Sequence, residues 1–183
     1  MKYTDWQKHI DQLIARNHKT KGHWQKQSEL SWDTKPTKGW SPIEVLEHMN
    51  LSLEIYTPKL LQKQTSLQNT TPENFIAGWT GQLFINTLTP SPNQKNVKTF
   101  AVFEPSPQNQ NDLNKEWDRF EKNFATLEQF WKENKDKNLN GKRVSSALGP
   151  ILMFRMGSVM EFLLWHNLRH FEQIERTMQA IKA

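Results

Sequence analysis

Residues 67–111 form a long run rich in Asn, Thr, Gln, Ser and Pro, and this run separates two pairs of stretches whose apolar residues recur at helical spacing. Antiparallel neighbouring helices need only a few residues between them, whereas a connection this long lets two successive helices run the same way. The pattern predicts an all-α chain, a four-helix bundle with one long crossover between helices 2 and 3. A short helix is expected inside the run, over 73–88. The piece KTFAVFEPSP near its end is expected as a short strand or an extended segment, since its Pro residues disfavour a central strand. A length of 183 residues suits one domain, spanning 1–183.

The first helix is expected to open at Thr4 or Asp5 and carries Trp6, Ile10, Leu13 and Ile14 on one face. Its second half, 17–28, is mostly polar with Gly22 inside it, which predicts fraying or a bend before the linker SWDTKPTKGW. The second helix has the sharpest start: Ser41 caps it, Pro42 suits the first helical position and Glu44 completes a capping box. Two stripes follow, through Ile43, Leu46 and Leu53 and through Val45, Met49, Tyr56 and Leu60, so a wide face is buried. Pro58 is expected to kink this helix or to end it near Thr57.

The third helix, over 112–133, places Leu113, Trp117, Phe120, Phe124, Leu127 and Trp131 three and four apart. After the loop KDKNLNGKR, residues 144–155 read as a short ordered segment interrupted by Gly149 and Pro150. The fourth helix, over 157–181, carries Val159, Phe162, Leu163, His166, His170 and Ile174 on its inner face. Trp6, Trp117 and Trp131 read as core. Trp79 and Trp165 are the two tryptophans placed where they can line a pocket.

Composition removes several function classes. The chain has no cysteine, so disulfides, thiolate metal sites and cysteine nucleophiles are excluded, and a bound metal must be held by His, Asp or Glu. Zero cysteine also suits a reducing cytoplasm. The opening MKYTDWQKHI is charged where a signal peptide needs an apolar run, and the apolar run ILMF at 151–154 is far too short to span a bilayer. A cytoplasmic, non-membrane protein is the expectation. The net charge of +5 comes from 24 basic and 19 acidic residues that interleave, as in KEWDRFEK, so no nucleic-acid partner is expected.

The six histidines stand at 9, 18, 23, 48, 166 and 170. Residues four apart share a helical face with β carbons about 5 to 6 Å apart, so the rings of His166 and His170 can point at a single ion. Between His18 and His23 the spacing of five swings the rings apart, and their polar surroundings suggest solvent. His48, flanked by apolar residues of the second helix, supplies a third imidazole where the second and fourth helices are neighbours. Three neutral imidazoles with an open position suit Zn²⁺ and also accommodate Ni²⁺ or Fe²⁺. The alternative for each ring taken alone is a core histidine satisfied by a hydrogen bond.

The segments GWSPIEVLEHMNLSLEIY and LWHNLRHFEQIERTM resemble the two signature helices of the DinB-like, or YfiT-like, metalloenzymes: a Trp-Ser helix start, a His a turn or two later, and a closing H-x-x-x-H followed by Gln-Ile. The resemblance implies an up-down-down-up bundle, metal ligation by His48, His166 and His170, and a homodimer. It implies a hydrolase-like activity on a small-molecule substrate, or transfer or rearrangement that uses a low-molecular-weight thiol such as bacillithiol or mycothiol.

Three mechanisms are open at this point. A metal with three imidazole ligands can acidify water for hydrolysis, or hold an external thiol as thiolate for transfer, or serve as a structural ion in a non-catalytic dimeric binding module. A metal-dependent hydrolase is the leading expectation and a thiol-dependent S-transferase the second. Glu44, Glu47 and Glu161 lie close in sequence to the histidines, yet Glu44 has a capping role and Glu47 and Glu161 read as solvent-facing charges, so none is assigned a catalytic role.

Overall fold

A computed structural model describes residues 1–27, 31–90, 99–106 and 112–182. Those residues are mostly helical: α1 (Tyr3–Gln25), α2 (Pro42–Gln64), α3 (Gly78–Leu88), a 3-10 turn (Ala101–Phe103), α4 (Leu113–Asn134), a hairpin of β1 (Arg143–Ser146) and β2 (Gly149–Arg155), and α5 (Met156–Lys182). Among the described residues, no helix is long and apolar enough to cross a membrane.

The start of α2 follows the local sequence closely. Ser41 Oγ accepts the Glu44 N–H at 3.4 Å, and Glu44 Oε2 accepts the Ser41 N–H at 2.8 Å, so two donors at the helix start are satisfied by one reciprocal pair. Pro58 neither ends α2 nor stops it short of Gln64. It stands on the exposed face, and the residue four earlier, Glu54, whose carbonyl loses its N–H donor, is exposed as well.

Helix α1 departs from expectation at its start. It begins at Tyr3 without a side-chain cap, because residues 1–3 bridge to residues 73–75 instead: the Tyr3 N–H donates to Glu73 O and the Phe75 N–H to Met1 O, both at 3.0 Å. Its polar second half continues through Gly22 without a break. The anchor is Trp24, which packs edge-on to Trp32 with centroids 6.1 Å apart, and Trp32 packs in turn on Trp117 at 5.5 Å. These aromatic contacts hold a helix end that its own spacing leaves polar.

The same bridge shortens the helix expected over 73–88, which starts only at Gly78, where a φ of +75° turns the chain. Residues 144–155 form most of a two-stranded antiparallel sheet, so the chain is not purely helical. Val144 pairs with Phe154, both buried, and Gly149 adopts φ +128° at the turn. Of the piece KTFAVFEPSP, positions 99–106 contain the 3-10 turn and no strand, while 98 and 107 lie outside the described residues.

Cross-helix partners give the helix directions. Lys21 meets Glu121 at 2.6 Å and Asp11 accepts from Trp131 Nε1 at 2.7 Å, so α1 and α4 run oppositely. Asn50 donates to Glu116, Arg119 to Glu54, and Asn134 to Gln64, so α2 and α4 run together. Trp6 donates to Glu161 and Arg16 lies over the Trp165 ring, a parallel α1 and α5, whereas α2 and α5 are antiparallel through His48 with His170 and Tyr56 with Phe162. The space between these helices is filled by aromatic and aliphatic side chains, among them Trp6, Phe120, Phe124, Trp131, Leu46 and Met49, all at most 1% exposed. Helix α3 lies against α5 at very short range: a Cβ built on Gly81 would stand 2.6 Å from the Ser158 Cβ.

Candidate metal centre

Helices α2 and α5 pass each other with His48 opposite His166 and His170. The one-turn separation on α5 and the wide buried face of α2 turn all three rings inward, leaving 4%, 6% and 9% of each residue exposed. His48 Nε2 lies 3.0 Å from His166 Nε2 and 3.1 Å from His170 Nε2. Trp40 flanks His48 at 5.0 Å between centroids, Phe103 at 6.3 Å, and Phe162 flanks His166 at 5.7 Å.

The far side of each ring decides what the near side offers. His48 Nδ1 lies 2.6 Å from the Phe103 carbonyl, which only accepts, so Nδ1–H donates and Nε2 carries a bare lone pair. His170 Nδ1–H donates to Gln173 Oε1 at 2.8 Å, with the same consequence. His166 Nδ1 is buried and has no hydrogen-bond partner among the described residues. Burial pushes the pKa of His48 down, opposed by its bond to Phe103. His166 and His170 are pushed well below the ordinary histidine value, first by burial and then by their charged-form neighbours, His170 and His48 for the one and His48 for the other. All three rings are therefore neutral near pH 7, the form that binds metal.

With His48 and His170 both protonated at Nδ1, their Nε2 lone pairs face each other across 3.1 Å and repel, and a cation removes that repulsion. Imidazole nitrogens bound to one first-row divalent ion at about 2.0–2.1 Å stand roughly 3 Å apart when they occupy adjacent, nearly perpendicular positions. The observed separations match. These three buried histidines are positioned to bind a divalent metal ion, and among the described residues they are the group of His and carboxylate side chains close enough to do so.

The other residues singled out in the sequence lie elsewhere. Glu44 is engaged in the α2 cap and pairs with Lys35 at 2.8 Å. Glu47 and Glu161, expected to face solvent, are buried at 4% and 7% exposure. Glu47 accepts the Ser106 N–H, tying the segment after the 3-10 turn to α2. Glu161 accepts Trp6 Nε1 at 2.8 Å and meets His9 Nε2 at 3.4 Å, so it joins α5 to α1. Trp165 packs against His9 and Arg16, while Trp79, 79% exposed on α3, lines a surface cleft with Arg143, Ile151 and Arg155, away from the histidines. His18 and His23 are exposed on α1. Trp6, Trp117 and Trp131 are core.

Three partners of the centre had no assigned role in the sequence: Gln173, Trp40 and the Phe103 carbonyl. Gln173 was findable, because position i+3 from His170 shares its helical face. The carbonyl was not, since a main-chain group carries no signature.

A sequence profile described as the DinB superfamily matches residues 12–174. Comparison with curated proteins and with solved structures gives no match.

Proposed function

This chain belongs to the DinB superfamily, and on that footing we propose that it is a metal-dependent enzyme in which His48, His166 and His170 hold one divalent ion, Zn²⁺, Ni²⁺ or Fe²⁺, for hydrolysis of a small-molecule substrate. The carrying observation is the convergence of three Nε2 atoms, two of them with Nδ1–H already engaged. We read the helix pairings as an up-down-down-up bundle of α1, α2, α4 and α5 in a single domain, with the centre near one end of the α2 and α5 pair. A second copy of the chain is the proposed macromolecular partner, in a homodimer.

When bound, such an ion supplies Lewis-acid chemistry, polarising an oxygen or sulfur donor and favouring its deprotonated form. The chain's own part is positional. Phe103 O and Gln173 Oε1 orient two of the rings, and the faces of Trp40, Phe103 and Phe162 line an apolar surround that limits water and strengthens electrostatic interactions inside it. Among the described residues the grouped metal-ligating side chains are these three histidines alone, and Glu44, Glu47 and Glu161 are engaged elsewhere, so three neutral ligands leave the positive charge uncancelled and available to a substrate.

The test is turnover of an ester and amide panel by zinc-, nickel- or iron-loaded protein, with and without a low-molecular-weight thiol. Hydrolysis without thiol is the expected result. Product formation only with thiol contradicts the hydrolase reading in favour of an S-transferase, and no turnover under either condition favours a binding module with a structural ion.

A further inference from the structure

His170 has two neutral states, and they do opposite things to the centre. With the proton on Nδ1, Nε2 faces His48 as a free lone pair. With the proton on Nε2, that N–H donates to the bare His48 Nε2 across 3.1 Å, a favourable hydrogen bond that closes the site to a cation. His48 has no such choice, because the Phe103 carbonyl can only accept. His170 lacks a backbone carbonyl in that role and is contacted instead by a side-chain amide, which can present either an acceptor or a donor.

Gln173 presents the acceptor. It lies three residues on from His170 along α5, so the two side chains share one face without any tertiary contact being required, and its Oε1 is 2.8 Å from Nδ1. We propose that Gln173 is a positioning residue of the histidine centre: its side-chain carbonyl holds His170 as the Nδ1–H tautomer and so keeps Nε2 available to a cation. The state so selected places two lone pairs face to face, and it is the less favourable one for a centre with no cation. An outer hydrogen bond that fixes ring orientation and raises ligand basicity is the expected complement of a metal-binding imidazole, and its loss typically lowers affinity about 10- to 100-fold.

The tautomer claim stands on the hydrogen bond alone, while its consequence for affinity rests on the metal reading above. Long-range ¹⁵N–¹H correlation spectra of the metal-free full chain at neutral pH read the tautomer directly, and a zinc titration against a competing chelator reads the affinity. Wild type is expected to show His170 as Nδ1–H. Gln173→Met is expected to move the proton toward Nε2 and weaken zinc binding about tenfold or more. Gln173→Glu, which keeps an acceptor, is expected to preserve both. Gln173→Ala, which only shortens a partly exposed side chain, is the second variant should methionine disturb packing. An Nε2–H tautomer in wild type overturns the proposal, as does an unchanged tautomer and affinity in the Met and Ala variants. Tautomer shifts in a protein that binds no zinc in any form support the role of Gln173 and remove the metal reading instead.

Discussion

His48 Nε2 on α2 stands 3.0 Å from His166 Nε2 on α5, although 118 residues separate them in the chain. The contact lies in the interior, where an unsatisfied or charged group carries a large penalty. Packing of α2 against α5 therefore brings together three rings whose protonation is opposed by burial and by one another, with His166 Nδ1 lacking a hydrogen-bond partner among the described residues. The stability of the metal-free protein is tied to that condition.

Acid is expected to destabilise the metal-free protein well before its carboxylates titrate. The three histidines have folded-state pKa values below the unfolded value of about 6.5. The unfolded chain therefore binds more protons as pH falls below about 6.5, and the stability present above that pH is progressively lost on acidification. The carboxyls of Glu44, Glu54, Glu121 and Glu128 are themselves held below their ordinary value, so their contribution disappears only at lower pH. Urea unfolding midpoints should fall between pH 7.5 and 5.5, and fall less in the double variant His166→Leu, His170→Leu. Equal midpoints at the two pH values would show that these rings are not buried neutral.

Gly81 is the second sensitive point. A methyl group there would meet Ser158 at 2.6 Å, closer than packed carbon atoms approach, so Gly81→Ala must push α3 away from α5. Ser158 Oγ donates to Ala77 O just before α3, and that bond is strained by the same displacement. Overpacking of this kind costs about 1–3 kcal/mol. Thermal melts should show the loss in Gly81→Ala and partial recovery when Ser158→Gly is added. An unperturbed Gly81→Ala protein would mean that α3 is not seated on α5 as described.

How much of this was legible in the sequence depended on how local the cause was. The start of α2 was readable because Ser41, Pro42 and Glu44 act within four residues, and α4 was readable because its aromatic spacing is its own. His166 and His170 share a face by spacing alone, while the meeting with His48 required two helices to be neighbours, which only the resemblance supplied. The hairpin was missed because Gly149 and Pro150 look like an interruption until Val144 is seen to pair with Phe154. Glu161 looked like a solvent charge because the indole that buries it, Trp6, lies 155 residues away. Pro58 does not end α2, because it stands on the outer face of a helix whose other side is well packed.

Elemental analysis of the purified full chain, followed by thermal melts with and without added zinc, tests the centre most directly. About one divalent ion per chain is expected in wild type, lost in His48→Ala and in His166→Ala while far-UV circular dichroism stays helical. Free zinc at about 100 times its dissociation constant should add roughly 2.7 kcal/mol of stability, a rise of about 5–10 °C in Tm, and a chelator should reverse it. Metal content and melting temperature that do not differ between wild type and these variants, with or without zinc, would contradict the account.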